Sequence, residues 1–144
     1  MLDKVHVAVT SLVLAITVIP SAHAIELLRV DDPLVGGDLG YGVSPLFATD
    51  DGSSGALNLP FEIRWFDRSY STFFLNNNGN ITFESPLGDF TPEPFPVANQ
   101  PMLAPYWADV DTGSGPLPGG GNQVWVMSPN ENTLVVTWDR VGYF

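Results

Sequence analysis

Ser71-Thr72-Phe73-Phe74-Leu75-Asn76-Asn77-Asn78-Gly79-Asn80-Ile81-Thr82-Phe83-Glu84 is the stretch that decides the fold class. Ser71–Leu75 and Asn80–Glu84 are two β-prone runs, rich in aromatic and β-branched residues. Asn76–Gly79 joins them, and its Asn-Gly step supplies the positive φ that a tight hairpin needs. Just upstream, Phe61-Glu62-Ile63-Arg64-Trp65-Phe66 nearly alternates apolar and polar side chains before Asp67-Arg68 stops it. That pattern predicts a strand with one wet face.

Downstream, Pro86, Pro92, Pro94, Pro96, Pro101 and Pro105 punctuate a segment that is neither helix nor central strand. It is expected to cross the body as an irregular wrap pinned by Phe90, Phe95, Val97, Met102 and Leu103, each worth roughly 1.5–3 kcal/mol when buried. Gln123–Met127 and Thr133–Trp138 then read as a second hairpin through Ser128–Asn132. Trp125 and Met127 share one face and Val124 and Val126 the other, so this hairpin is expected inside a sheet covered on both sides. Thr49–Gly55 and Thr112–Gly121 are polar, glycine-rich loops. No internal repeat, heptad or helix-period segment follows the leader. The fold class is therefore all-β, a sandwich of short, mainly antiparallel strands with long Pro/Gly-rich loops.

Residues 1–24 have a different grain. Lys4, the apolar run Val7–Ile19, Pro20 and Ala22-His23-Ala24 follow the order of a secretory signal cleaved after Ala24, expected as an N-terminal signal helix. The run is too short to span a membrane, which takes roughly 20 residues, so no membrane insertion is expected once it is removed. The only lysine and both histidines lie in it, and the chain has no cysteine. The exported part therefore has no Ser-His-Asp or Cys-His relay, no Schiff-base lysine and no Cys/His zinc site. Because the leader holds one acid, Asp3, and one base, Lys4, the exported part keeps the formal charge of −11. Such a surface disfavours nucleic acid and anionic membranes.

Ala104-Pro105-Tyr106-Trp107-Ala108-Asp109-Val110-Asp111-Thr112 concentrates the remaining chemistry. Asp109 and Asp111 have three readings: turn carboxylates bonding nearby amides, calcium ligands, or one half of a glycosidase acid/base pair with Glu84 or Glu93. Calcium wants several oxygens at once, and Asp139 or the Asp50-Asp51 loop could add them. An EF-hand is excluded, because Gly120 stands where the closing glutamate belongs. No cofactor is required on any but the calcium reading. Trp107, Trp125 and Trp138, with Tyr106 and Tyr143, read as core because they sit in apolar strands. Trp65 is the better candidate for an exposed, sugar-stacking aromatic. Asn80-Ile81-Thr82 is a glycosylation sequon.

Asn78-Gly79-Asn80-Ile81-Thr82-Phe83, Pro94-Phe95-Pro96, Leu103–Thr112, Val124-Trp125 and Val136-Thr137-Trp138-Asp139-Arg140-Val141-Gly142-Tyr143-Phe144 resemble, in order and spacing, the successive motifs of the NIDO domain. This is the extracellular module of nidogen, alpha-tectorin and mucin-4-like proteins. The resemblance runs from Gly42 to Phe144 and divides the chain into a signal peptide (1–24), an N-terminal arm (25–41) and a NIDO-like β-domain (42–144). It implies a secreted, non-enzymatic module for cell-matrix adhesion, whose partner is an extracellular matrix protein, a cell-surface protein or a glycan. Family members continue past the Val-Gly-Tyr-Phe motif, so the domain reads as an incomplete copy. In a bacterium the same leader would export it to the periplasm or cell surface. The alternative is a carbohydrate-binding, lectin-like β-sandwich.

Overall fold

The computed structural model describes residues 6–10, 13–17, 42, 44–94, 100–118 and 121–143. Strand β3 (Leu57–Trp65) turns through Phe66-Asp67 into β4 (Arg68–Asn76), and the two pair antiparallel with Trp65 opposite Arg68. The Asn77-Asn78-Gly79 turn leads into β5 (Asn80–Thr82), with Asn76 opposite Asn80. Gly79 takes φ 78°, the left-handed conformation expected of the Asn-Gly step. After the proline-rich crossing, the short β6 (Met102–Leu103) closes a sheet of order β3-β4-β5-β6.

The second sheet is built on the second hairpin, β7 (Gln123–Asn130) and β8 (Thr133–Asp139). It is also longer than expected, because β7 continues past Met127 through a register shift and only Glu131-Asn132 remain as the loop. From Leu134 to Asp139 every residue of β8 is buried, as a strand covered on both faces requires, whereas β7 takes the sheet edge and is only partly buried.

The other neighbour of β8 corrects one expectation. His6–Thr10 (β1) and Val13–Thr17 (β2), assigned above to a signal helix, are strands, giving the order β1-β2-β8-β7 with Val13 opposite Thr137. The physical reason is composition: Val7, Val9, Thr10, Val13, Ile16 and Thr17 are β-branched and favour extended backbone. The free edge of β8 offers that backbone its hydrogen bonds. The arm at residues 25–41 lies outside the described residues.

One core joins the two sheets. Leu59, Phe73, Leu75, Ile81 and Phe83 from the first sheet pack with Val124, Leu134, Val136 and Trp138 from the second. The antiparallel sandwich read from the sequence is therefore the fold. Its wrap is pinned differently from expectation. Met102 is buried and Leu103 half-buried, but Phe90 is 49% exposed, and Leu87, which was not among the expected pins, is buried. Phe95, Pro96 and Val97 lie outside the described residues.

Phe73 is fully buried at the centre of this core. Phe73→Ala is expected to lower stability by about 3–5 kcal/mol, read as a lower denaturant midpoint at an unchanged m-value.

Candidate functional site

Hairpin turns normally lie in water, but this one is sealed: Asn76, Asn77, Asn78 and Asn80 are all fully buried. Four buried carboxamides are tolerable only with partners for their donors and acceptors. Asn76 Nδ2 donates to Asn80 Oδ1 at 2.7 Å and Thr82 Oγ1 at 3.1 Å, while its Oδ1 accepts from Ser53 Oγ and the Leu87 amide. Asn77 Nδ2 donates to the carbonyls of Val110 and Thr49, and its Oδ1 accepts from Thr112 Oγ1. Asn78 Nδ2 reaches Asp51 Oδ1 at 2.8 Å, and its Oδ1 accepts from the Val110 amide at 2.8 Å. The indole N–H of Trp138, on the opposite sheet, donates to the carbonyls of Asn76 and Asn77.

These bonds place Ala104–Thr112 directly over the turn. The Tyr106 and Ala108 amides donate to the carbonyls of Gly79 and Asn78. A Cβ added at Gly79 would collide with the Tyr106 carbonyl, so position 79 is restricted both by its φ and by the segment that passes over it. Tyr106 itself does not plug the core; its side chain is 44% exposed and its backbone makes the contact. Trp107 is half-buried and its indole N–H donates to the Asp89 carbonyl at 2.8 Å. Pro105 is half-buried beside them.

The two aspartates of the stretch part company. Asp111 Oδ1 accepts from the Gly113 amide at 2.6 Å, the turn-carboxylate role. Asp109 instead joins Asp50 and Asp51, with one carboxylate oxygen from each lying within 4.8 Å of the others. The Asp50–Asp111 backbone bridge and the Thr112–Thr49 hydrogen bonds draw the two loops together. Oxygen-only donors at this spacing suit a hard cation and not a soft one. Desolvation, then the charges of Asp51, Asp111 and Asp109, raise the Asp50 carboxyl above its ordinary range. Asp139 does not join them; its carboxylate pairs with Arg140 at 3.1 Å.

The NIDO-related family model matches residues 39–143, nearly three quarters of the chain. This chain belongs to the NIDO-related family. It is 42% identical over 65 residues to alpha-tectorin of Mus musculus and of Homo sapiens, covering 44% of this chain and 3% of either tectorin. It is 23% identical over 146 aligned residues to nidogen of Drosophila melanogaster, covering 85% of this chain and 10% of that protein. The chain thus spans a small fraction of these relatives' length. No solved structure matches.

The motif residues of this NIDO-related chain fall into three groups. Asn78, Gly79, Phe83 and Trp138 build the sealed turn and core. Gly142 docks at the acidic end, donating its amide to Asn122 Oδ1 at 3.0 Å. Tyr106 and Tyr143 are exposed, Tyr143 by 82%, contrary to the expectation of core aromatics. Pro96 lies outside the described residues.

Trp65 also differs from expectation. It is half-buried against Phe83, with ring centroids 6.1 Å apart, while its neighbour Phe66 is 88% exposed. Glu84 is unsuited to be a glycosidase acid, which needs a raised pKa. A hydrogen bond from Tyr70, with further help from Arg68, holds its carboxyl below the ordinary range. The sequon is closed in the folded protein, because Asn80 and Thr82 are both fully buried. Asn76, Asn77, Thr49 and Thr112 carry as much of the arrangement as Asn78. The signal for them was the run of three asparagines, more amide than a surface hairpin requires.

Gly79→Ala is expected to cost about 2–4 kcal/mol through strained φ and collision with Tyr106, measured by chemical denaturation. Asp50→Asn should raise the melting temperature at neutral pH. A carboxyl whose folded pKa is raised favours folding at acid pH and loses that contribution as pH rises through its folded pKa. The variant's advantage should therefore disappear below the carboxylate range, as a pH series of melting curves would read.

Proposed function

We propose that this chain is a secreted, non-enzymatic module of the extracellular matrix that serves cell-matrix adhesion through a protein or glycan partner. The family match over residues 39–143 carries this reading. The sequence after residue 24 is consistent with it, having no histidine, lysine or cysteine and leaving carboxylates, hydroxyls, amides and arginines. Calcium is the ion proposed for Asp50, Asp51 and Asp109, while Asp111, which the sequence reading paired with Asp109 as a ligand, organises the loop beside it. A lectin-like module is the second reading. It is favoured by Phe66, which stands exposed next to half-buried Trp65.

Solid-phase binding of the purified protein to decellularised matrix, beside a glycan array, separates the two readings. Saturable retention on matrix without glycan retention supports adhesion through protein; retention on defined glycans that Phe66→Ala removes supports the lectin. Retention on neither overturns both.

Calcium at about ten times its dissociation constant is expected to stabilise the fold by about 1.4 kcal/mol, a rise of several degrees in melting temperature. Asp109→Asn should remove that rise. Identical melting curves in calcium and in chelator would overturn the calcium assignment.

A further inference from the structure

Asn78-Gly79 is the only Asn-Gly step in the sequence, and it carries a chemistry separate from its place in the turn. Glycine has no Cβ to shield its amide nitrogen, so in an open chain that nitrogen can attack the side-chain carbonyl carbon of the asparagine before it. The bond from the Gly79 nitrogen to Asn78 Cγ forms and the Cγ–Nδ2 bond breaks. Nδ2 leaves as ammonia, taking the proton that the Gly79 amide gives up. Water then opens the cyclic imide at either carbonyl, leaving aspartate or isoaspartate at position 78.

The closed structure opposes each part of this reaction. The Gly79 N–H donates to the Asn77 carbonyl at 2.8 Å, which holds the proton that must leave. The Asn78 carboxamide is tethered at both ends. Its Nδ2 donates to Asp51 Oδ1 at 2.8 Å and to the Gly88 carbonyl at 3.4 Å, and its Oδ1 accepts from the Val110 amide at 2.8 Å. Cγ is therefore not free to turn onto the Gly79 nitrogen. Asn78 is fully buried and Gly79 is buried with it, so bulk water does not reach the step. The tethers come from three separate passes of the chain, at Asp51, Gly88 and Val110.

We infer that Asn78 is a latent deamidation site, closed by these passes, open to conversion whenever they part, and changed by conversion so that they do not close again. Opening of the passes precedes the chemistry, because loops lift at a lower cost than the whole fold. Irreversibility follows from the same contacts. After conversion an oxygen stands where Nδ2 donated, and a buried carboxylate faces the Asp51 carboxylate. The isoaspartate form also lengthens the turn backbone beneath the Tyr106 and Ala108 amides, which bond to the Gly79 and Asn78 carbonyls. The turn thus keeps a one-way chemical record of its own opening. The inference is independent of a bound cation and of whether matrix or glycan is the external partner.

Peptide mapping of the full chain, kept for weeks in mildly alkaline buffer with chelator, either folded or in denaturant, tests it. The Asn78 amide is expected to be lost in denaturant and to persist at least about tenfold longer in the folded chain. Asp51→Ala, read at a temperature where circular dichroism shows it folded, should lose the amide at least about tenfold faster than the folded wild type, because one tether is gone. Asp51→Asn keeps an acceptor oxygen and should stay near the wild-type rate. Asn78→Asp should have a lower denaturant midpoint than wild type at neutral pH. Its new carboxyl, buried beside Asp51, has a folded pKa above the unfolded value of about 3.9. The deficit should therefore shrink as pH falls through that raised pKa, where the protonated carboxyl can again donate. Conversion as fast in the folded wild type as in denaturant, a folded Asp51→Ala variant no faster than wild type, or an Asn78→Asp variant as stable as wild type at neutral pH would each overturn the inference. Should Asp51→Ala not fold, the wild-type comparison and Asn78→Asp decide it.

Discussion

Four asparagine side chains are enclosed with a tight turn, and the surrounding loops are arranged by the need to satisfy them. A buried carboxamide without partners costs roughly 1–3 kcal/mol per unsatisfied group, so the Asn76–Asn80 segment is compatible with burial only if chain passes close by on several sides. Thr49–Ser53, Leu87-Gly88 and Ala104–Thr112 are those passes, and each supplies a carbonyl, an amide or a side-chain oxygen. Trp138 closes the enclosure from the second sheet, tying its indole N–H to the carbonyls of Asn76 and Asn77. The turn thus acts as a polar core beside the apolar one.

That enclosure also creates the acidic end. Asn77 and Asn78 bond both to the Thr49–Asp51 loop and to Val110, so the two loops are fastened to one turn and their aspartates brought together. Asp51 spends one oxygen on Asn78, and Asp111 spends one on the Gly113 amide. Asp50 lies exposed beside the other carboxylates, and partial desolvation together with the charges of Asp51, Asp111 and Asp109 raises its carboxyl pKa. Like charges this close are maintained by the hydrogen bonds beneath them, and a hard cation is the species that would relieve them.

Sandwich edges add a second organising constraint. β8 runs through the middle of its sheet with nearly every side chain buried, so it needs a strand on each side. β7 supplies one, and β2, rich in β-branched residues, supplies the other. Their β-branched side chains favour the extended backbone that an open edge can pair.

Local chemistry determined much of this protein from sequence alone. The all-β class, both hairpins, the wet-faced strand and the positive φ at Gly79 follow from period-two patterning and the Asn-Gly step, which act between near neighbours. The absence of histidine, lysine and cysteine after residue 24 likewise narrowed the chemistry open to that part of the chain without reference to any fold. What only the tertiary structure decided depends on residues distant in sequence. Asn76–Asn80 read as an exposed turn because hairpin propensity carries no information about what packs above the turn. Tyr106 read as core because an aromatic in an apolar run normally is; here its backbone makes the contact and its ring faces out. Asp109 and Asp111 could not be told apart two residues from each other. Their separation into a cluster member and a loop clasp is set by Asp50, Asp51 and Gly113, which the fold brings to them.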